Sequence, residues 1–349
     1  MNIRYYHTPQ FKVYDKIGIR WIPHLMFMNN PNFRSEICNT DCYGLRFNSR
    51  KYVNAKKESI FDININRKKS IVVGSSSIFG VGATLDEKTI PAILSNNSDH
   101  FFFNFGGRAF NGFQEIILTQ LMINKINDIK KILLFSGMPD IYMTYNINYD
   151  SSFPGPFFFK SSFLKVMDEL NTSFKKKLIK FLFPNLNIDY QNITTKELAK
   201  FLFNFKKAKQ NDKNFFFPKI NLESIISRNI KLWKILSRSI NTELIFFFPP
   251  FLPWSKKENN YTKEEKEIST YITSIDDPNN TVAYKAIEKD YEKILKLFQE
   301  CCKKNEIKFY NCNFIFQSEE YNKKWLFVDK VHLTDYGNKI ISEYILKKI

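Results

Sequence analysis

Residues 70–80 constrain the fold of this chain more than any other stretch. An apolar run at residues 71–73 stops at Gly74, three serines follow, and a second glycine arrives at position 80. A short β-branched run bounded by glycine is typical of a buried strand that ends in a sharp turn. We therefore predict a strand whose end lifts one serine above the edge of a sheet.

Strand-like and helix-like segments alternate after this stretch. Further strands are predicted at residues 101–105, 132–135, 243–248 and 307–310, with helical patterns in between. Such alternation predicts a parallel sheet covered by helices on both faces, with ligands bound beyond the carboxyl ends of the strands. The fold class we expect is α/β: a three-layer, flavodoxin-like protein with a parallel five-stranded sheet and a helical insertion.

The glycines mark one edge of this predicted sheet. Seven of the 11 glycines lie between residues 74 and 137, and they follow three predicted strands at Gly74, at Gly106 and Gly107, and at Gly137. In a chain so poor in glycine, this concentration indicates backbone that turns sharply or approaches a ligand.

Near the carboxyl end, two long segments differ in pattern. Residues 280–304 have apolar positions at helical spacing throughout, which predicts one long helix. Residues 256–280 are polar and predict a long loop with a helical piece.

Three regions are predicted from these patterns. Residues 67–150 and 241–349 form the main domain, and residues 1–66 form a turn-rich accessory segment that packs on it. Residues 151–240 resemble a helical insertion. This stretch contains 17 Lys and Arg but only 6 Asp and Glu, so it carries +11 of the formal charge of +17. Three interpretations of the insertion stay open: a lobe with a solvated basic face, a cap over the site, or a surface for peripheral membrane contact or an anionic acceptor.

Composition limits the binding partners, cofactors and cellular location that we expect. The charge of +17 suits nucleic acid, anionic lipid or anionic glycan without selecting among them, and no nucleic-acid module accompanies it, so we do not expect nucleic-acid binding. Five cysteines without a paired framework predict reduced thiols, and we expect no metal and no cofactor. Without a signal-like or spanning apolar run, the expected location is cytoplasmic, with the inner membrane surface left open. The oligomeric state is not predicted.

Asp329 and His332, far along the chain, lie three residues apart. A serine hydroxyl is a weak nucleophile until a base takes its proton, and an imidazole base needs a carboxylate to fix its tautomer. A turned loop brings both side chains toward one point. Alone, an Asp-x-x-His pair is weak evidence; with the serine turn it suggests nucleophilic catalysis.

Four blocks of the sequence resemble the SGNH (GDSL-type) hydrolase superfamily, in the family's order. The first is Gly-Ser-Ser-Ser-Ile-Phe-Gly at residues 74–80, which is similar to the Gly-Gly-Ser-Thr-Thr-Phe-Gly block of one branch. The second lies at residues 104–115, and the third lies at residues 137–140, where the family has Gly-x-Asn-Asp. The last, Asp-Lys-Val-His-Leu-Thr at residues 329–334, resembles Asp-x-x-His-Leu-Thr. The resemblance covers about residues 68–349, less the insertion.

This resemblance implies a role for each site residue. Ser76 would be the nucleophile, His332 the general base and Asp329 the acid that orients it. The oxyanion would be held by the backbone N–H of Ser76 and by the second block, where Ala109 aligns with the family's glycine. We expect alanine to keep that donor provided that its φ is negative.

The third block departs from the family. The asparagine that offers a side-chain amide aligns with Pro139, and proline has no donor. An oxyanion donor is typically worth about 3 kcal/mol, so its loss would slow the reaction on the order of a hundredfold. Arg108 and Asn111 are the nearest candidates to replace it. Arg108 would also suit an anionic substrate, and the alternative for it is a surface salt bridge.

The family resemblance implies a serine esterase or deacylase that acts on a small acyl ester. Relatives in this branch are often associated with bacterial surface glycan assembly, so an O-acetylated sugar or glycan precursor is the expected substrate. Two alternatives stay open. One is an O-acyltransferase with the same triad, and the other is a non-catalytic glycan- or membrane-associated protein of this fold, which Pro139 motivates.

Overall fold

A computed structural model of the protein describes residues 2–149, 155–160, 162–163, 165–166 and 221–349. The chain divides into two compact units. The larger consists of residues 1–151, 155–158 and 220–349, and the smaller of residues 152–154 and 159–219. Most of the predicted basic insertion, and with it the question of a cap or a membrane surface, lies outside the described residues.

The larger unit contains all of the described strands and the helices named here. The strands are β1 (Ile19–Ile22), β2 (Met26–Asn29), β3 (Lys68–Gly74), β4 (His100–Gly106), β5 (Ile129–Phe135), β6 (Glu243–Phe248) and β7 (Lys308–Asn311). The α-helices are α1 (Ile3–His7), α2 (Phe11–Tyr14), α3 (Arg50–Asn54), α4 (Ser76–Phe79), α5 (Ile90–Asn96), α6 (Gly112–Met122), α7 (Met138–Tyr145), α8 (Leu222–Ser239), α9 (Leu252–Ser255), α10 (Lys263–Ile275), α11 (Pro278–Lys289), α12 (Tyr291–Lys304), α13 (Asn313–Phe316) and α14 (Asp335–Leu346).

Five of the strands form one parallel sheet in the order β4-β3-β5-β6-β7. This is the flavodoxin-like order, in which the first strand of the sheet lies between the second and the third. The predicted fold class is confirmed, because the five predicted strands are the five that pair. The remaining two strands, β1 and β2, form a separate antiparallel hairpin.

The two faces of the sheet belong to two apolar cores, because successive residues of a strand point to opposite sides. Ile71 and Val73 of β3 pack in one core with residues of α6, α8 and α12. Val72, between them, packs in the other core with residues of α5 and α14. Helices therefore cover both faces, as predicted.

Helix α8 corrects the boundary predicted at residue 240. It buries Ile226, Ile230 and Trp233 in the core of the larger unit and packs against β6, α6 and α12. Residues 221–240 are thus part of the layer that covers the sheet, not of an insertion. Their apolar spacing is that of any helix with one buried face, so the pattern alone could not say what the face covers.

Two predictions near the carboxyl end meet different outcomes. The single helix predicted over residues 280–304 is wrong, because the structure has two helices there, α11 and α12, which meet at Asp290. The helical piece predicted within the loop at residues 256–280 is confirmed as α10, whose start is fixed by a capping box between Thr262 and Glu265.

The amino-terminal residues 1–66 are built into the larger unit. Phe27 and Phe47 enter the core on one face of the sheet, while Phe11 and Tyr14 pack with Phe79 of α4. This segment therefore contacts the turn that follows β3. None of the helices in the described ranges is long and apolar enough to cross a bilayer.

Candidate active site

A pocket of about 440 Å³ lies at the carboxyl ends of the central strands. Its wall includes residues that follow β3, β4 and β5, together with His332 from the loop before α14. This is the edge at which open α/β sheets bind ligands, because loops from neighbouring strands diverge there. The predicted serine and histidine line the same cavity.

The turn after β3 places Ser76 at the start of α4. Gly74 allows this turn, since a Cβ at that position would lie 2.4 Å from the Phe135 carbonyl oxygen. Gly80 ends the helix with a φ of +90°, a conformation that glycine adopts without strain. The two glycines thus fix both ends of the serine helix.

Ser76, His332 and Asp329 form a continuous hydrogen-bonded chain. The distance between Ser76 Oγ and His332 Nε2 is 2.7 Å, and that between His332 Nδ1 and Asp329 Oδ2 is also 2.7 Å. The neighbouring serines differ: Ser75 is buried, and Ser77 Oγ donates to the Val331 carbonyl oxygen at 3.3 Å. Of the three serines, Ser76 is the one joined to the imidazole.

Asp329 is held as a carboxylate. Its Oδ1 accepts backbone N–H groups of Val331 at 2.9 Å and of His332 at 2.8 Å, so both oxygens are occupied. Burial alone would raise the pKa of Asp329, but the His332 imidazole and these N–H groups outweigh burial and lower the pKa to about 2. A permanent carboxylate at Nδ1 keeps Nε2 as the proton acceptor that faces the serine.

A buried ion pair supports the loop that carries Asp329. Lys256 Nζ lies 2.6 Å from Glu265 Oε2, and both side chains are almost fully buried. The other oxygen of Glu265 accepts the backbone N–H groups of Leu326 at 3.0 Å and Phe327 at 3.2 Å. The capping residue of α10 therefore also positions the chain just before the acid.

Two backbone N–H groups in the pocket are available to an oxyanion. Neither the N–H of Ser76 nor that of Ala109 donates a hydrogen bond to any group that the structure describes. Ala109 has a φ of +62°, so the condition of negative φ that we set for it is not met. The backbone keeps the left-handed conformation that suits glycine, and the alanine side chain is strained instead.

Pro139 lines the pocket from the first turn of α7. The residue after it, Asp140, is buried and accepts the backbone N–H of Gly112 at 2.8 Å. Burial is the main influence on this carboxyl group and raises its pKa to about 6. Asp140 therefore ties the loops after β4 and β5 together, while Pro139 beside it offers no hydrogen-bond donor to the pocket.

Arg108 is neither a surface ion pair nor an available oxyanion donor. Its Nε donates to Asn29 Oδ1 at 3.0 Å and its Nη1 to the Tyr14 carbonyl oxygen at 2.8 Å. Its Nη2 donates to the carbonyl oxygens of Ile17 and Gly18. Arg108 fastens the amino-terminal segment to the loop after β4, which corrects both predicted roles.

Asn111 is likewise committed elsewhere. Its side-chain oxygen caps α6 by accepting the N–H of Gln114 at 2.8 Å, and its amide donates to the Pro156 carbonyl oxygen at 2.7 Å. Asn111 is not among the residues that line the pocket. The replacement donor that we expected from it is therefore absent from the described site.

Several pocket residues carry no motif and were missed by the sequence analysis. The amino-terminal segment supplies Arg4, Phe11, Tyr14 and Asp15; other elements supply Tyr142, Phe158, Asp276, Asn280 and Tyr284. Only the aromatic and polar character of these positions could have pointed to a ligand, and the same character is common on helix surfaces.

A buried arginine locks the amino-terminal segment to the serine helix. Arg46 Nη1 donates to the carbonyl oxygens of Phe79 at 3.1 Å and Gly80 at 2.9 Å, while its Nε donates to Asp86 Oδ1 at 2.7 Å. The hydroxyl of Tyr14 donates to the Gly80 carbonyl oxygen at 2.7 Å. Residues far from the motifs thus hold the end of α4 in place.

Comparison with known proteins adds fold-level likenesses only. No protein-family model and no curated protein matched the sequence. Among solved structures, the acetyl xylan esterase AlAXEase is 10% identical, with 80% of this chain and 99% of that chain covered and a TM-score of 0.38. A lipolytic protein of the G-D-S-L family from Veillonella parvula DSM 2008 is 10% identical, covers 80% and 97%, and has a TM-score of 0.41. The aryl esterase of M. smegmatis is 8% identical, covers 80% and 97%, and has a TM-score of 0.43. At these values the likenesses carry no argument about activity, which rests on the residues of the site.

Proposed function

We propose that the protein is a serine esterase or deacylase of the SGNH (GDSL-type) superfamily that acts on a small acyl ester. The observation that carries the proposal is the relay from Ser76 through His332 to Asp329, with both distances at 2.7 Å. The relay opens into a pocket that also contains two unpaired backbone N–H groups. These are the parts that acyl transfer needs: nucleophile, base, orienting acid and oxyanion donors.

The reaction proceeds in two halves. Ser76 Oγ attacks the ester carbonyl carbon while its proton moves to His332 Nε2, and Asp329 stabilises the imidazolium that forms. The carbonyl oxygen becomes an oxyanion that the N–H groups of Ser76 and Ala109 bind. The intermediate then expels the alcohol, which takes the proton from His332. Water, activated by the same base, hydrolyses the acyl-enzyme and frees the serine.

An O-acetylated sugar is the substrate that we propose. The pocket presents the aromatic rings of Tyr142 and Tyr284, whose centroids lie 5.1 Å apart, and polar groups that include Asn280. Aromatic rings with a polar edge suit a sugar, which has apolar C–H faces and a rim of hydroxyl groups. The Tyr284 hydroxyl donates no hydrogen bond to another described residue, so it is available to such a rim.

Active-site labelling tests the proposal. A fluorophosphonate probe should label the wild-type protein, and the Ser76→Ala variant should not be labelled. Release of acetate from acetylated sugars, measured on the same samples, should follow the labelling. A wild-type protein that stays unlabelled, or a Ser76→Ala variant that labels equally well, would favour the non-catalytic alternative.

The same samples separate hydrolysis from acyl transfer, since both pass through an acyl-enzyme. Sugar acceptors are added together with an acetyl donor, and free acetate and acetylated acceptor are both measured. The esterase proposal expects free acetate at the rate at which the donor is consumed. Acceptor-dependent product without free acetate would contradict it and establish the transferase.

A further inference from the structure

Three arginines near the serine helix use their guanidinium groups differently. Arg46 is fully buried and donates to Asp86, to the Tyr14 hydroxyl and to carbonyl oxygens around α4. Arg108 has its donors directed at the amino-terminal segment. Arg4 lines the pocket with Ser76 and donates no hydrogen bond to any residue that the structure describes. The first two arginines are structural, and the third has unused donors.

The Arg4 side chain is held in a defined place despite its unused donors. Its guanidinium carbon lies over the Phe11 ring, 3.8 Å from the ring centroid, a cation–π contact that favours this position of the group. Its Nε is buried without a partner. The nearest paired carboxylate oxygen, Asp15 Oδ1, lies 3.9 Å from Nη1, beyond hydrogen-bond distance. A partly desolvated cation with unfilled donors favours a ligand that brings acceptor oxygens.

Neither of the two carboxylates in the pocket wall forms a described hydrogen bond to Arg4. Asp15 accepts the Tyr5 hydroxyl at 2.7 Å. Asp276 accepts the Asn280 amide and the backbone N–H of Asp277. These donors occupy one oxygen of each carboxylate, and the other oxygen makes no described hydrogen bond to Arg4; the Asp15 oxygen that faces Arg4 lies 3.9 Å from its Nη1.

Arg4 lines the same cavities as the His332 imidazole. It lines a second, adjoining cavity of about 290 Å³ whose wall includes Asp329 and His332. The electrostatic field of Arg4 also contributes to the low pKa of Asp329, as expected for a neighbouring cation. Since His332 protonates the departing alcohol oxygen, the alcohol part of the ester must lie beside the imidazole.

We infer that Arg4 binds a carboxylate on the alcohol part of the ester, so that the substrate class is an acyl ester of an acidic alcohol such as an acetylated uronic acid. The inference rests on the proposed esterase function. A guanidinium fork binds a carboxylate through two parallel hydrogen bonds, which gives orientation as well as affinity. The carbonyl oxygen of the acyl group then points toward the N–H groups of Ser76 and Ala109.

Matched esters test this assignment. The substrates are 4-acetoxybenzoate and its methyl ester, which share the acyl group and differ in the charge of the alcohol part. In Arg4→Gln, the ratio of kcat/KM for the carboxylate over the methyl ester should fall about 10- to 100-fold, the range expected for a lost hydrogen bond to a charged group. Arg4→Lys should recover only part of the ratio, because lysine lacks the planar fork.

A surface variant controls for net charge. Arg20 is exposed on β1 and lies outside the pocket, so Arg20→Gln removes the same charge and should leave the ratio unchanged. An Arg4→Gln ratio equal to that of the wild type would overturn the assignment. Mono-4-nitrophenyl succinate carries its carboxylate on the acyl side; dependence on Arg4 for this ester and not for 4-acetoxybenzoate would also overturn it.

Binding separates the failure of this assignment from the failure of the esterase proposal. If the wild-type protein hydrolyses none of these esters, the esterase proposal fails. Ligand-detected NMR then measures binding of 4-hydroxybenzoate, the alcohol product, to the wild type and to Arg4→Gln. Binding that disappears in Arg4→Gln supports the carboxylate site, and binding that persists overturns it. Thermal unfolding of each variant confirms that it is folded.

Discussion

The two sides of Ser76 differ in how completely their polar groups are arranged. On one side, His332 and Asp329 form a relay in which every polar atom has a partner, and a buried ion pair supports their loop. On the other side, Ala109 is held at a φ of +62°, and Pro139 lines the pocket without a hydrogen-bond donor. In the proposed reaction, the groups that move the proton are therefore all in place, while stabilisation of the negative charge rests on two backbone N–H groups.

The largest effect is expected when the nucleophile joined to His332 and Asp329 is removed. Ser76→Ala should lower kcat/KM for a reactive acetyl ester by about 10⁴-fold, because the relay then has no nucleophile to activate. Ser77→Ala is the matched control, since its hydroxyl makes one long hydrogen bond to the Val331 carbonyl oxygen at 3.3 Å. The control should retain more than about a tenth of the activity. Equal losses in the two variants would contradict the assignment of the nucleophile.

The next largest effect is expected at Pro139, on the side of Ser76 that binds the oxyanion in the proposed reaction. Pro139→Asn returns a side-chain amide to the pocket, and kcat should rise by up to about a hundredfold if the amide binds the oxyanion. Pro139→Ala removes the ring without adding a donor and controls for changes in the backbone of α7. Rates for the asparagine variant no higher than those for the alanine variant would show that the two backbone N–H groups already suffice.

The Asp329 carboxylate should make the free energy of unfolding depend on pH. In the folded protein the pKa of Asp329 is lowered to about 2 from its ordinary value of 3.8, so the ionised carboxylate stabilises the folded state. A shift of this size corresponds to about 2 kcal/mol in the free energy of unfolding. This contribution is fully present above about pH 4 and is lost as the pH falls through about 2.

Urea unfolding from pH 6 to pH 2 measures that contribution. The difference between the wild type and Asp329→Asn should be constant down to about pH 4 and then shrink. Ser77→Ala, which removes a hydroxyl that does not titrate in this range, is the control, and its difference from the wild type should stay flat. A difference for Asp329→Asn that grows toward low pH would mean that the carboxylate is not stabilised in the folded state.

The sequence predicts those features that depend on short stretches of chain. The strand and turn at residues 70–80 could be identified because two glycines and an apolar run determine their own backbone geometry. The same holds for the five strands of the sheet, whose alternation with helices leaves few topologies. The helical piece predicted within residues 256–280 is likewise α10, and the capping box of Thr262 and Glu265 is a local pattern that marks where it starts.

Features that depend on distant partners could not be predicted in this way. Arg108 lies next to the second block in sequence, yet its guanidinium binds carbonyl oxygens of the amino-terminal segment about 90 residues earlier. Asn111 similarly donates to Pro156. No local pattern records such partners, and the same limit applies to Arg4, which reaches the pocket from the amino-terminal end of the chain. Proximity in sequence was therefore a poor guide to which donors remain free.

The smallest effect concerns the strain at Ala109. Because an L-residue other than glycine is disfavoured at a φ of +62°, Ala109→Gly should raise the free energy of unfolding by about 0.5 to 1 kcal/mol. Ala286→Gly in α11 is the matched control with the opposite sign, since glycine in a helix interior lowers stability by about 1 kcal/mol. Denaturant unfolding measures both, and kcat for Ala109→Gly should remain near that of the wild type because the backbone N–H is unchanged. A destabilised Ala109→Gly variant would contradict this expectation. It would mean that packing of the Ala109 methyl group stabilises the fold by more than the strained backbone costs.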